Sequence, residues 1–220
     1  ERAFVPAPKR RPETEEQKQA RLQRAQITRG QARRDHPFPV GVRPTVIATA
    51  RAVDRAALRR KAEQGVAVIT APDIRWGRCD IKTTGLLPNV LAKQNAKENG
   101  GKEAWYVDAD GFVTEGGSTN AWIVTKDGAL VTRPAESGIL RGITRAVVLE
   151  LIRKEGLTFE ERPFSLEEAF DAKEAFVTAA TSVVMPVTRL DGKMIGNGHP
   201  GSVATRLREV FHTATDLQAV

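Results

Sequence analysis

Four stretches of this 220-residue chain hold side chains that could do chemistry together. Arg75-Trp-Gly-Arg-Cys-Asp-Ile-Lys82 leaves an apolar segment and ends on a lysine just before a helical pattern. Thr114-Glu-Gly-Gly-Ser-Thr-Asn120 sets a carboxylate, Glu115, at the end of a hairpin strand. Ile139-Leu-Arg-Gly-Ile-Thr-Arg145 runs into a helix start, where backbone amides make a ready anion site. Thr178-Ala-Ala-Thr-Ser182 adds small and hydroxyl residues after another strand. An amine, a carboxylate and a phosphate-sized anion site are the parts a pyridoxal phosphate enzyme needs. On pattern alone ordinary turns and a solvated lysine, the usual fate of that side chain, account for the same residues more often.

Other chemistries find less support. Cys79 is the sole cysteine, which excludes an intrachain disulfide and a multi-cysteine zinc site and makes a reducing, cytosolic setting the default. His36, His199 and His212 are far apart, and no metal site is expected. Gly196-Asn-Gly-His-Pro-Gly201 matches a dinucleotide fingerprint in letters, but it follows a hairpin and contains Pro200, so it reads as a turn. No apolar run approaches the ~20 residues of a membrane span. The net charge is +7, and residues 1–36 alone carry ten basic and five acidic side chains. Aromatic residues hardly interleave with that basic run, so a solvated segment is expected there rather than a nucleic-acid site.

The elements that must position these residues alternate in type. Strands are expected at Pro44–Ala48, Val66–Thr70 and Phe176–Thr178, and helices at Ala56–Gln64 and Leu86–Asn99. Asp110-Gly111, Asp127-Gly128 and Asp191-Gly192 each sit between apolar runs and predict three hairpins. Ile143, Val147, Val148, Leu151 and Ile152 make a helix stripe closed by Gly156, and Ser165 with Glu168 predicts a capping box. Val203, Leu207, Val210 and Phe211 mark a C-terminal helix. Hairpins mixed with helices argue for an α+β fold rather than a doubly wound parallel sheet. Residues 1–25 read as a basic tail followed by a charged helix over Glu13–Gln26, too polar to fold alone.

Three motifs in order, Asp-Ile-Arg-Trp-x-Arg-Cys-Asp-Ile-Lys82, Val-Thr-Glu115-Gly-x-Ser-x-Asn and Ile-Leu140-x-Gly-Ile143-Thr144-Arg, resemble the class IV (fold type IV) pyridoxal-phosphate-dependent aminotransferases. The resemblance runs from about Gln26 to the C-terminus and is nearest the branch that acts on D-amino acids. It implies a fold of a mostly complete large domain of hairpins and helices plus a partial small α/β domain. By that resemblance Lys82 is the Schiff-base lysine, which also moves the proton at the substrate Cα, and Glu115 faces the pyridine nitrogen. Leu140 packs on the ring. The amides of Ile143 and Thr144, with Ala179 and Ala180, take the phosphate. Arg34 and His36 grip the substrate carboxylate, a task that suits the forked guanidinium. The implied partners are an amino acid and a 2-oxo acid, in a cytoplasmic homodimer without nucleic acid or membrane.

Two departures accompany the resemblance. Family members often carry hydroxyls where this chain has Ala179 and Ala180. Residues 1–25 do not resemble the family's upstream strands, so the chain is expected to be a processed product or fragment that enters the small domain partway. The expected domains are therefore 1–25 as the tail, 26–57 as a partial small domain and 58–220 as the large cofactor domain. Branched-chain L-amino-acid aminotransferase and aminodeoxychorismate lyase share the fold and are the alternatives, as is an impaired remnant. The Arg34/His36 pair favours D-amino acids, and Glu115-Gly-Gly-Ser-Thr-Asn120 lacks the second glutamate usual in the branched-chain enzymes.

Overall fold

The computed structural model describes residues 21–52 and 54–216, and the chain divides into a compact unit ending at Ala57 and another beginning at Leu58. In the first unit, β1 (Arg21–Thr28) and β2 (Thr45–Ala52) pair antiparallel, from Arg21 opposite Ala52 to Thr28 opposite Thr45. The loop between them carries Arg34 and His36, both exposed. The charged helix expected over Glu13–Gln26 is corrected here: residues 21–26 are strand, and the earlier part of that stretch lies outside the described residues. Arg, Gln and Ala prefer helix by only a few tenths of a kcal/mol each. A strand as rich in β-branched residues as Thr45-Val-Ile-Ala-Thr49 gives them a long-range backbone partner that overrides that preference.

Helix α1 (Arg55–Gln64) leads through Gly65 into β3 (Val66–Pro72). There follow α2 (Leu87–Glu98), β4 (Glu103–Val107), β5 (Phe112–Gly116), β6 (Asn120–Val124) and β7 (Leu130–Thr132). Next come α3 (Ile143–Lys154), β8 (Phe159–Glu161), β9 (Phe164–Ser165) and α4 (Leu166–Asp171). The chain continues through β10 (Glu174–Ala179), β11 (Val183–Leu190), β12 (Lys193–Met194) and α5 (Ser202–Asp216). One mixed sheet runs β8-β7-β6-β10-β11-β3-β4-β5-β9, with β12 on β11. The hairpins are antiparallel, while β3 lies parallel to both β4 and β11. This is the α+β architecture that the alternation of hairpins and helices predicts.

The three Asp-Gly turns form as expected. At the last of them Asp191 and Gly192 both take left-handed φ, 47° and 77°, the geometry of a tight two-residue hairpin turn. Asp191 also accepts from the Thr70 amide at 2.7 Å and the Thr70 hydroxyl at 2.8 Å, tying the turn to β3. Ser165 and Glu168 form the expected capping box on α4. The glycine run 196–201 is a turn between β12 and α5.

The central strands are buried on both sides, as the unbroken apolar run of β6 requires. Trp105 meets Phe164 edge-on at 6.1 Å, and Trp122 stacks on Phe176 at 5.4 Å. Val148, Leu151 and Ile152 of α3 join Ala204 and Leu207 of α5 in the cluster around Trp122. Buried Glu174 at the start of β10 accepts from the amides of Val203 and Ala204, each at 3.1 Å, and so holds the first turn of α5 against the sheet. A Cβ at Gly201 would overlap that carboxylate, so a side chain there would push Glu174 off these amides.

Glu174→Ala is expected to cost about 1–3 kcal/mol, because the amides of Val203 and Ala204 lose a charged acceptor. Urea melts of wild type and variant measure this, and coincident curves would contradict it.

Candidate active site

The site is organised around an arginine just beyond β3. The Asp73 amide donates to Val107 O at 2.8 Å, extending the β3–β4 pairing by one residue and fixing Asp73. Arg75 grips that carboxylate with two parallel hydrogen bonds, Nε to Oδ1 at 2.8 Å and Nη2 to Oδ2 at 2.7 Å. Its other nitrogen forms an ion pair with Glu115 Oε1. Nη2 also donates to Thr114 Oγ1 and Gly138 O, each at 3.2 Å, and the guanidinium lies 4.4 Å over the Tyr106 ring. The Arg75 and Glu115 side chains are only 6% and 8% exposed, so this is a buried charge cluster of two carboxylates around one cation.

Burial pushes the Glu115 carboxyl up to about 7, although the Arg75 charge and hydrogen bond and the Leu140 amide pull it down. Burial also raises Asp73, but hydrogen bonds from Arg75 and Thr114 outweigh it and hold that carboxyl below its ordinary value. The two acids are therefore pushed apart: Asp73 stays charged, and Glu115 titrates near neutrality. Burial raises the Cys79 thiol, which leaves it a poor nucleophile.

The second oxygen of Glu115 leads to the helix start. Glu115 Oε2 accepts from Asn120 Nδ2 and from the Leu140 amide, each at 3.1 Å. The same Asn120 amide group donates to Leu140 O at 2.9 Å. Asn120 also lies opposite Thr178 in the β6–β10 pairing. One asparagine thus brings together Glu115, Leu140 at the entrance to α3, and the end of β10 that leads to Ala179 and Ala180. The α3 N-cap is Gly142, extended and without a side-chain cap. Thr144 is buried there, while Ile143 is exposed.

Lys82 is exposed, in the loop between β3 and α2. That loop is tied down on either side of it. The Asp80 amide donates to Ser137 O at 3.3 Å, and Asn89 Nδ2 donates to Gly117 O at 2.9 Å. Ser137 stands three residues before Leu140, and Gly117 two after Glu115, so the lysine loop borders the same site. Leu140 and Ala179 are half-buried, and Ala180 is exposed in the β10–β11 turn. Arg34 and His36 belong to the first unit, where the Asp35 carboxylate accepts from the His36 amide at 2.7 Å. Asp73, Arg75 and Asn120 lie within the motifs, but the sequence assigns them no role. The signal available was a pair of like-charged acids beside an arginine within the motifs, without any indication of which groups meet.

A primary amine, a buried carboxylate and an uncapped helix N-terminus fit pyridoxal phosphate by donor chemistry. The amine would hold it, the carboxylate would face its ring nitrogen, and the helix start would receive its phosphate.

Comparison with known proteins names the family to which this fold belongs. Residues 11–190 match the family model described as amino-transferase class IV, and the chain belongs to that family. The match begins at residue 11, earlier than the start at about Gln26 that the sequence motifs suggest, so residues 11–25 are not unlike the family. D-alanine aminotransferase of Bacillus licheniformis is 42% identical over 189 residues, covering 86% of this chain and 65% of that protein. The chain thus spans about 65% of the length of that curated relative. Among solved structures, the branched-chain amino acid aminotransferase of Escherichia coli superposes with a TM-score of 0.75 at 27% identity, over 87% of this chain and 64% of that one. A second branched-chain amino acid aminotransferase, solved in complex with N-(5'-phosphopyridoxyl)-L-glutamate, superposes with a TM-score of 0.64 at 32% identity, over 70% of this chain and 52% of that one.

Because Glu115 titrates near 7 when folded and near 4.5 otherwise, this group alone makes stability fall as pH rises between those values. Arg75→Met is expected to cost about 3–5 kcal/mol at pH 8, by leaving two buried carboxylates without their cation. At pH 6 the loss should be smaller, because Glu115 can then take up a proton. Denaturant melts at the two pH values test this, and equal losses would contradict it.

Proposed function

We propose that this protein moves an amino group between a D-amino acid and a 2-oxo acid with pyridoxal phosphate as cofactor. The observation that carries the reading is Glu115: a buried carboxyl paired with Arg75 and held by Asn120 and the Leu140 amide beside an uncapped helix start. When bound, the cofactor supplies an electron sink for the substrate Cα. In this reading Lys82 supplies the amine that holds the cofactor and carries the proton at Cα. Its exposed place in a loop tethered at both ends leaves it open to that partner. Glu115 keeps a proton on the ring nitrogen through its negative charge, and Leu140 packs on the ring. The amides of Ile143 and Thr144 hold the phosphate, with the backbone of Ala179 and Ala180 where relatives offer hydroxyls. Arg34, with His36, receives the substrate carboxylate.

The D-amino-acid reading is supported by the curated relative's name and by the Arg34/His36 pair. The structural neighbours favour a second reading, a branched-chain L-amino-acid aminotransferase. The absence of a second acid in Glu115-Gly-Gly-Ser-Thr-Asn120 weighs against it. We also propose a cytoplasmic homodimer. Ile74, Trp76, Ile81, Leu87, Val90 and Leu91 are exposed apolar side chains along the lysine loop and α2, a surface suited to a second copy. Among the described residues no helix is long and apolar enough to cross a membrane.

Purified protein mixed with pyridoxal phosphate and assayed with D-alanine or L-leucine against 2-oxoglutarate tests the reading. Turnover with D-alanine is expected. Preference for L-leucine would establish the second reading, and no turnover with either would refute both. Lys82→Ala is expected to abolish both the cofactor's visible band and turnover, and surviving turnover would remove Lys82 from the chemistry. Arg34→Leu is expected to raise KM for D-alanine by roughly fivefold, with the cofactor spectrum intact. Loss of the spectrum with KM unchanged would place Arg34 elsewhere.

A further inference from the structure

The first residue of β11, directly after the turn from β10, is a backbone outlier. Val183 has φ 60°, in the left-handed region that glycine and asparagine occupy readily and a β-branched residue avoids. A hairpin could place glycine there at no steric cost. Valine persists because its side chain packs against the core cluster around Trp122 and Phe176. Strained residues of this kind survive only where their surroundings over-determine them, and they gather at functional sites.

The over-determination comes from α5. Arg208 donates from a single guanidinium nitrogen to Ser182 O and to Val184 O, each at 2.6 Å. These are the carbonyls immediately before and after Val183, so the arginine brackets the strained residue. Arg208 is half-buried, and among the described residues no carboxylate pairs with it, whereas Arg206 on the same helix pairs with Glu155 at 2.8 Å. Burial lowers its pKa. A costly, unneutralised cation under a strained turn is hard to explain as packing alone. The turn itself, Ala180-Thr-Ser182, leaves the end of β10 where Thr178 lies opposite Asn120, the residue that links Glu115 to the start of α3.

We propose that Arg208 is a positioning residue. By clamping the carbonyls on either side of Val183, it holds the Ala180–Ser182 turn in the shape that receives the cofactor's phosphate. This rests on the reading that the phosphate lies between that turn and the start of α3. The arginine does its work through the backbone, so the turn needs no hydroxyl at Ala179 or Ala180 to stay in place. Its positive charge adds a field that favours a phosphomonoester over the uncharged alcohol.

The test separates the clamp from the cofactor reading. In apo-protein, Arg208→Met should raise hydrogen exchange at the amides of Ala180 to Val183 about tenfold or more, while exchange in β6 and β10 stays as in wild type. Unchanged exchange in the turn would overturn the proposal whether or not any cofactor binds. Titrated with pyridoxal phosphate, Arg208→Met should bind about tenfold more weakly, the loss of roughly one hydrogen bond to a charged group. Pyridoxal, which lacks the phosphate, should bind the variant and wild type within about twofold of each other. Equal weakening for both compounds would show a merely structural arginine and overturn the proposal. If Arg208→Met does not fold, Arg208→Lys replaces it, with a loss between the two, because a single ammonium keeps the charge but grips one carbonyl. In a Val183→Gly background the strain is gone, and Arg208→Met should then cost less than about threefold. A full tenfold loss there would show that Arg208 does not act through Val183. Failure of wild type to bind pyridoxal phosphate would refute the proposed function and leave the exchange result to decide the clamp.

Discussion

The buried contact of Arg75 with Asp73 and Glu115 is the constraint on which the rest of the site depends. Two carboxylates this close would repel, and burial alone would protonate both. One guanidinium between them decides the outcome, and it does so unequally: two parallel hydrogen bonds and the Thr114 hydroxyl keep Asp73 charged, while Glu115, with a single contact to Arg75, titrates near 7. Glu115 is thus poised to become fully charged when a second cation arrives. The tie from Arg75 to Gly138 O and from Glu115 to the Leu140 amide transmits the same cluster to the chain entering α3. Remove the arginine, and both the charge state of Glu115 and the placement of the helix start lose their common support.

Much of this was legible in the sequence where the cause is local. Asp191-Gly192 makes its turn because two adjacent residues accept left-handed φ, and Ser165 with Glu168 caps α4 across three residues. Lys82, Glu115 and the Ile139–Arg145 stretch stand out because each lies at the junction of two patterns. The partners that act over long range were not legible. Arg75 meets Glu115 forty residues on only because β3, β4 and β5 are neighbours in the sheet. Glu174 meets α5 for a similar reason, and its sequence neighbours give no hint of a helix cap. Residues 21–26 show the opposite failure: a composition that favours helix is drawn into a strand by a partner that begins at Thr45.

In the proposed reading the chain separates two tasks. The larger unit holds the amine, the carboxylate and the uncapped helix start on elements fixed by buried strands. Arg34 and His36 lie in an exposed loop of the other unit, between two strands. Chemistry common to a family belongs on the rigid part, whereas a loop can change its recognition of substrate without disturbing the core. The likeness to proteins whose names carry a D-amino acid in one case and branched-chain amino acids in another is consistent with that division.

The central claim is that Glu115 serves as the anion opposite a cationic cofactor ring, and its own titration tests this most directly. Carbon-13 NMR of the glutamate carboxyls, with Glu115→Gln to assign the signal, would follow Glu115 in the apo-protein and after addition of pyridoxal phosphate. The apo-protein should show a carboxyl titrating near 7. An adjacent cation favours the charged form, so the bound protein should show the same carboxyl ionised down to at least about two pH units lower. A Glu115 signal that still titrates near 7 with cofactor bound would contradict the account.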